Sequence, residues 1–360
     1  NRYYKNLIEN ISEKPAVVIN TFRDGKRFWN IKDVENMKFD AIVGNPPYQV
    51  MDGGGTGSSA VPIYQKFVQL SKKLSPCYIS MIMPAKWYTG GKGLDDFREE
   101  MLNDKRVSYL ADFDDSRVCF PTADIAGGVC YFRWASHHEG LCHFESIRKD
   151  GRSTRDRKLN EGEVFIRDLG ALDIIKKVQI LGEKNMSEQV FSRNPFGFTS
   201  NYEGKTSPFA NSIKMFTSKG WVYASKDEIT SNADVVGSWK AIMSKAGAEH
   251  AGQADNNGMK KVVSRIDVLA PGEICSESYL LLGCYETKGE AEHLVLYVKT
   301  RFVRFLLSNL LLTQNIAKDK FRLIPIQDFK QSWTDSRLYQ KYGLTDEDQL
   351  YVEALIKPME

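Results

Sequence analysis

Three observations predict an α/β fold for this chain, with a doubly wound sheet followed by a mixed α+β region. Apolar runs with the length and composition of buried strands occur at residues 41–43, 78–84 and 107–113. The intervening segments 60–74 and 94–103 carry apolar residues at helical spacing. Beyond about residue 138 this alternation gives way to short strand patterns in turn-rich sequence. Strands that alternate with helices typically form a parallel sheet.

Composition places the chain among ordinary globular proteins. Of its 360 residues, 42% are hydrophobic and 26% are charged, which provides enough core for two domains. The net charge of +3 is compatible with nucleic acid but is weak evidence for it. The six cysteines include no CxxC pair, so we expect reduced thiols in a cytoplasmic protein and no metal site. No apolar run reaches the roughly 18 residues of a membrane span. The chain does not begin with Met, so we take it to be a fragment.

The central feature is the segment at residues 39–48, which predicts a short strand followed by a stiff polar arm. We expect the strand to be central and covered on both faces, and Gly44 to leave room for a turn or a ligand. Asn45 and Pro46 each precede a proline and therefore favour extended backbone. The Asn45 side chain and the Pro46 carbonyl can then point outward as acceptors, and Tyr48 adds a flat aromatic face. The alternative, an ordinary Pro-Pro turn, is disfavoured by the preceding buried strand.

At Asn45, Pro46, Pro47 and Tyr48 the sequence resembles the adenine-N6 DNA methyltransferases, whose target-base motif is Asn/Asp/Ser-Pro-Pro-aromatic. Some RNA methyltransferases and protein-glutamine methyltransferases share this tetrad. The resemblance extends over about residues 38–135, through Met83-Pro84-Ala85-Lys86-Trp87, a helix start at 91–98 and a hairpin at 119–132. This order is similar to the second half of a gamma-class catalytic domain of type II and IIG restriction-modification systems. The fold implied is a partial Rossmann-like methyltransferase sheet.

The resemblance also implies site residues and ligands. S-adenosylmethionine would donate the methyl group, double-stranded DNA would be the substrate, and the tetrad would be catalytic, with Pro46 also contacting the cofactor. Phe120 matches an aromatic that packs against the extruded base, although a core phenylalanine is an equal alternative. We also assign Trp87 to substrate binding, because it follows a strand at the same sheet edge. Residues 118–134 are expected to form a hairpin at the edge of the sheet.

One part of the family pattern is missing. The cofactor strands of the gamma class precede the tetrad, with a glycine-rich turn after the first, but only Gly25 and Gly44 occur in the first 44 residues. We therefore expect an incomplete cofactor pocket, with a strand at 16–21 as the last piece of the cofactor half and a short helix at 2–12. The glycine run at 51–59 lacks the features of a P-loop and is better interpreted as a flexible loop.

We assign residues 1–138 to the catalytic domain and 139–360 to a DNA target-recognition domain. The basic segment at 148–158 is predicted to be a loop, in which Arg152 and Arg155 contact phosphates; a solvated surface loop is equally compatible. Further predictions are a helix at 165–185, a mobile loop at 246–259, a strand at 275–285, the longest helix at 290–312, a short strand at 321–326 and a last helix from Thr345.

The leading function is therefore site-specific DNA adenine-N6 methylation in restriction-modification. Three alternatives stay open: a DNA-binding fragment without catalysis, an RNA methyltransferase, and a protein-glutamine methyltransferase. A nucleotide-dependent enzyme that uses the glycine run is a weaker alternative. No nuclease motif occurs in the chain, so we expect any cleavage activity or cofactor-binding region elsewhere in the parent protein.

Overall fold

The computed structural model describes residues 38–50, 60–148, 151–162, 164–248, 254–255, 257–311 and 314–359. The helix predicted at 2–12, the strand predicted at 16–21 and the glycine-rich loop at 51–59 lie outside the described residues. The loop predicted at 246–259 lies partly outside them.

A six-stranded mixed sheet organises the first half of the described chain. Its strands are β1 (Ala41–Gly44), β4 (Tyr78–Pro84), β5 (Val107–Phe113), β6 (Val129–Ala135), β7 (Cys142–Arg148) and β8 (Gly151–Arg157), in the spatial order β1-β4-β6-β5-β7-β8. A small ribbon of β2 (Gln49–Val50) and β3 (Val61–Pro62) follows β1. β1 pairs with β4, and β5 with β7, in parallel, whereas β6 runs antiparallel to both of its neighbours.

Three helices cover one face of this sheet: α1 (Tyr64–Lys73), α2 (Asp95–Asn103) and α3 (Leu169–Gln179). Their apolar side chains share one core with Met81, Leu110, Phe132 and Phe144. These four residues are cross-strand neighbours on β4, β5, β6 and β7, so they point to the same face. The described helices of this half thus lie on one face only. The coarse prediction of a mixed α/β protein with several sheets is confirmed, while the doubly wound arrangement stays a prediction.

Two predictions about this sheet are wrong for the described residues. β1 is the outermost strand rather than a strand covered on both faces, and Val43 is 78% exposed. The strand predicted in an edge hairpin, β6, lies in the middle of the sheet, between β4 and β5. Its continuous burial pattern fits this central position, because a strand between two others under a helical layer is covered on most sides.

The sheet also continues beyond residue 138, since β7 and β8 belong to it. β8 contains most of the basic segment that was predicted to be a loop, and it pairs with β7 from Cys142↔Arg157 to Arg148↔Gly151. The loop prediction is therefore wrong for residues 151–157. Its missing apolar periodicity has a physical reason: β8 ends the sheet, and its first four residues are exposed.

The second half contains two three-stranded sheets. The strands are β9 (Ser212–Thr217), β10 (Gly220–Ser225), β11 (Trp239–Ser244), β12 (Ile266–Leu269), β13 (Glu273–Cys275) and β14 (Tyr279–Tyr285). One sheet has the order β10-β9-β13, and the other has the order β12-β11-β14. Leu280 and Leu282 of β14 face the main core, whereas Leu281 faces a second core with Phe196 and Phe216. The apolar run at 279–282 therefore belongs to a strand that is buried on both faces.

The remaining helices are α4 (Lys288–Lys299), α5 (Arg301–Ser308), α6 (Asp335–Lys341) and α7 (Asp346–Leu355). The single long helix predicted at 290–312 is wrong, because Thr300 leaves the helical conformation and its side chain caps α5. Where a short strand was predicted, at 321–326, the structure has a turn and one isolated β-bridge, Asn185↔Pro325. The last helix is confirmed, with Thr345 and Asp348 forming a capping box. None of the described helices is long and apolar enough to cross a membrane.

Candidate active site at the carboxyl edge of the sheet

The Asn-Pro-Pro-Tyr tetrad leaves the sheet at the carboxyl end of β1. Because β1 and β4 are parallel, with Gly44 opposite Met81, the segments that follow both strands emerge at the same edge. Asn45 and Pro47 are exposed, Pro46 is buried and Tyr48 is half-buried. Beyond the tetrad, the Ile63 N–H donates to the Tyr48 carbonyl at 3.1 Å, which anchors the arm to the β2–β3 ribbon. The arm is held at both ends, and the exposed Asn45 lies at the rim.

The acceptors of the tetrad are not consumed by the described residues. No described donor is hydrogen-bonded to the Pro46 carbonyl, and neither proline has an N–H that could compete for acceptors. The Asn45 side chain is exposed and lies near the Tyr48 hydroxyl. A Cβ placed on Gly44 would meet no atom within 4 Å, so open space lies beside these acceptors. The arrangement can receive a planar group that carries an amine.

Tyr48 closes one side of this space. Burial, together with the nearby thiols of Cys130 and Cys119, raises the pKa of Tyr48 to about 12, and only the Asn45 side chain opposes this rise. Its buried hydroxyl makes no hydrogen bond of good geometry to a described residue. The phenol therefore stays neutral at physiological pH, and one of the two thiols, Cys119, belongs to the loop between β5 and β6.

Phe120 lies in that same loop. It is partly buried against a small cluster that contains Ala111, Phe113 and Val129, on the sheet face opposite the helices. Its N–H donates to the Ser116 carbonyl at 2.8 Å. The Ser116 hydroxyl ties the loop further by donating to the Ala123 carbonyl at 2.8 Å. Phe120 thus follows a residue that stands close to Tyr48, and its role in base binding stays a prediction.

Trp87 is misassigned as a substrate-binding residue. Its side chain is 0% exposed in the 3-10 turn Ala85–Thr89, and its ring packs edge-on against Tyr88 and Phe97. Its indole N–H donates to the Cys130 Sγ at 3.4 Å. Position after a strand does not reveal side-chain direction, and here the tight turn directs Trp87 into the core.

Arg152 and Arg155 lie on β8, at the opposite end of the sheet from β1. Five strand spacings separate these two strands, or about 24 Å. Arg155 binds both carboxylate oxygens of Asp173 at 2.7 Å, and Arg152 contacts Glu145 at 3.2 Å. The structure does not bring either arginine to the tetrad, and any phosphate contact would compete with these ion pairs.

A buried charge cluster that the sequence analysis missed supports the edge of the site. Asp112 is 0% exposed and accepts hydrogen bonds from Arg167 and Arg148. Burial by itself would raise the pKa of the Asp112 carboxyl. The two guanidinium groups nevertheless hold this pKa below its usual value. No local pattern marks this cluster, because its members are far apart in the sequence.

Arg167 connects this cluster to the start of β6. Its Nη1 donates to the Gly127 carbonyl at 2.7 Å, and its guanidinium carbon lies 5.3 Å from the centre of the Tyr88 ring. Gly128, at φ +76°, lies so close to β5 that a Cβ would stand 2.0 Å from the Phe113 carbonyl oxygen. The Gly128 carbonyl in turn accepts the Ala85 N–H at 3.1 Å. Arg167 and Gly128 thereby fix the chain on either side of the loop that carries Phe120.

The described residues offer only part of a pocket for a methyl donor. The open space at Gly44 and the buried Pro46 fit such a group, but β1 forms the outer boundary of the described sheet beside them. A cavity of about 570 Å³ lies at the opposite, amino edge of the sheet, lined by Glu100, Asp104, Arg106 and His138. It is remote from the tetrad and takes no part in the site.

Comparison with known proteins supports the resemblance found in the sequence. Residues 1–120 match the family described as Eco57I restriction-modification methylase. An uncharacterized adenine-specific methylase of Mycoplasma pneumoniae is 34% identical over 173 residues, which are 44% of this chain and 41% of that protein. The chain thus spans less than half the length of this relative. The predicted resemblance to adenine methylases of restriction-modification systems is confirmed.

Two solved structures align at lower similarity. The type IIG restriction endonuclease BpuSI aligns with a TM-score of 0.35 and 10% identity, over 90% of this chain and 56% of that one. The type IIL restriction-modification enzyme MmeI, in complex with DNA, aligns with a TM-score of 0.40 and 8% identity, over 78% of this chain and 45% of that one. Both scores are too low to establish a shared fold.

Proposed function

We propose that this chain forms the adenine-binding part of a DNA adenine-N6 methyltransferase that uses S-adenosylmethionine in a restriction-modification system. The observation that carries this proposal is the tetrad at the edge of the sheet, in which Asn45 is exposed and no described donor binds the Pro46 carbonyl, beside the half-buried Tyr48. The matches to restriction-modification and adenine-specific methylases support the substrate class. S-adenosylmethionine, when bound, supplies the electrophilic methyl group.

The tetrad can activate an adenine amine by holding its hydrogens. The exocyclic nitrogen of adenine is a poor nucleophile, because its lone pair is delocalised into the ring. Two acceptors, the Asn45 oxygen and the Pro46 carbonyl, would bind the two N–H groups and favour a pyramidal nitrogen with an oriented lone pair. The same two dipoles stabilise the positive charge that develops on nitrogen. No separate general base is required before attack.

The target base must leave the duplex to reach this edge. Extrusion costs a few kcal/mol, whereas stacking on an aromatic ring contributes about 1–3 kcal/mol per base. The half-buried Tyr48 offers one such ring, and Phe120, in the loop beside it, is the second candidate. Tyr48, with Phe120, would therefore offset the cost of extrusion.

A DNA-binding fragment without catalysis is the second candidate. It is favoured by the position of β1, which is the outermost strand of the described sheet and leaves the space at Gly44 open. In that case the tetrad would bind an extruded adenine, and methyl transfer would depend on residues outside the described part of the chain.

The discriminating experiment compares substrates with the full-length protein. Labelled methyl groups should enter N6 of adenine in duplex DNA, and should not enter RNA or glutamine-containing peptides. Transfer to either of the latter would replace the DNA assignment with the corresponding alternative. If residues 1–360 alone bind DNA without methyl transfer while the full-length protein transfers methyl groups, the non-catalytic fragment is supported.

A further inference from the structure

Lys86 is a half-buried cation beside the tetrad that has no described counter-ion. It lies two residues after β4, in the turn Ala85–Thr89, and β4 is the strand next to β1. Since neighbouring strands are about 4.8 Å apart, Lys86 leaves the sheet one strand away from Asn45, at the same edge. Among the described residues no carboxylate forms an ion pair with it and no acceptor binds its ammonium group. A partly desolvated ammonium that no described acceptor binds can receive an anionic ligand in place of water.

The surroundings of Lys86 add positive charge. Burial and the like charge of Lys92 both lower the pKa of Lys86. Lys92 belongs to a loop in which Gly90, Gly91, Lys92 and Gly93 all have positive φ values. For Lys92, at φ +50°, this conformation costs about 1–2 kcal/mol relative to ordinary backbone. Strained residues of this kind concentrate at functional sites, where the strain serves placement.

We infer that Lys86, with Lys92 beside it, binds a backbone phosphate of the DNA strand near the extruded adenine. A phosphate would supply Lys86 with the acceptor and the negative charge that the described residues do not provide. Lysine suits this role as a compact point charge, and phosphate contacts fix the position and register of a protein on DNA without reading sequence. The inference rests on the proposed function, since it takes DNA as the substrate.

The test is the salt dependence of DNA binding by the full-length protein. Lys86→Met keeps the aliphatic stem and removes the charge, Lys86→Arg keeps the charge, and Lys105→Met is the matched control. Lys105 is exposed and lies in the turn that leads into β5, at the opposite edge of the sheet. Thermal unfolding checks that each variant is folded.

For Lys86→Met, the plot of log affinity against log salt should lose about one unit of slope, and affinity near 0.1 M salt should fall roughly eightfold. The loss should be equal for duplexes of different sequence. Lys86→Arg should retain most of the slope, and Lys105→Met should match the unchanged protein.

Two results would overturn the inference. The first is a slope for Lys86→Met equal to that of Lys105→Met. The second is an unchanged slope with a raised KM for S-adenosylmethionine, because the anion would then be the carboxylate of the methyl donor. Failure of the proposed function is a separate outcome: a protein with the Lys86-dependent slope but no methyl transfer binds DNA as inferred and lacks the activity.

Discussion

The Asp112 carboxylate and the Arg167 guanidinium form a buried bidentate ion pair, with the shortest contact at 2.7 Å. The pair lies where the loop that carries Phe120 joins the sheet. Arg167 also donates to the Gly127 carbonyl, so the pair joins the end of β5 to the start of β6. Site geometry and stability should therefore depend on the same two residues.

The first prediction concerns Asp112→Asn. Leaving the buried Arg167 without its counter-charge should lower the free energy of unfolding by about 3–5 kcal/mol, whereas Arg148 is partly exposed and keeps Asp114 as a partner. The pKa of Asp112 is lowered in the folded state, so its contribution is fully present above the unfolded value of about 3.9 and is lost as the pH falls through the folded value. Denaturant unfolding at a series of pH values should thus show a smaller acid-induced loss of stability in Asp112→Asn. Equal losses in both proteins would contradict the assignment.

The second prediction compares two glycines. Gly44→Ala should change the free energy of unfolding by less than about 0.5 kcal/mol, because its Cβ meets no atom within 4 Å. It should nevertheless reduce methyl transfer, since the methyl group would enter the space assigned to the ligand. Gly128→Ala should destabilise by at least about 1–2 kcal/mol from its positive φ alone, before the clash with Phe113 is counted. Full activity of Gly44→Ala would show that this space is not used.

The third prediction is that Asn45→Ala in the full-length protein strongly slows methyl transfer while DNA binding persists. Asn45 is exposed, so folding should be unaffected. Loss of one preorganised group that stabilises developing charge should reduce the rate by about two to three orders of magnitude. Asn45→Asp keeps an acceptor oxygen and should retain more activity than Asn45→Ala. Single-turnover transfer measures the rate, and unchanged transfer by Asn45→Ala would refute the assigned role.

The fourth prediction concerns the ring of Tyr48. Tyr48→Ala should weaken capture of a fluorescent adenine analogue by about five- to 150-fold, which corresponds to a stacking contribution of 1–3 kcal/mol. Tyr48→Phe preserves the ring and should capture the base almost normally. Because the pKa of Tyr48 is about 12, capture by the unchanged protein should show no titration of this residue near neutral pH. An unaltered signal in Tyr48→Ala would count against stacking.

The fifth prediction separates Trp87 from Phe120. Trp87→Ala should cost about 3–5 kcal/mol of stability, because the ring is 0% exposed. Phe120→Ala should cost less, since this ring is only partly buried, and it should mainly weaken capture of the adenine analogue. Calorimetric unfolding and the fluorescence assay together distinguish the two effects. A stable Phe120→Ala variant with normal capture would leave Phe120 as a core residue.

Local sequence predicted the elements that depend on local chemistry. The strands at 78–84 and 107–113 are observed with those limits, and Thr345 caps the last helix as its neighbours indicated. These elements are encoded by periodicity, β-branched runs and capping residues within about ten positions. The placement of β6 between β4 and β5 is not encoded in this way, because an apolar strand pattern does not say which strands become its neighbours.

The tetrad and its position after a strand could be predicted from residues 39–48 alone, because proline restricts the backbone of the tetrad and of the residue before it. Which side chains reach this edge of the sheet depends instead on the tertiary fold. In the tertiary structure Trp87 is buried, Arg152 and Arg155 lie on β8, the strand farthest from β1, and Lys86 lies beside the tetrad without a described partner. The physical reason is that side-chain direction and ion pairing depend on contacts between residues distant in sequence, as in the pairing of Asp112 with Arg167.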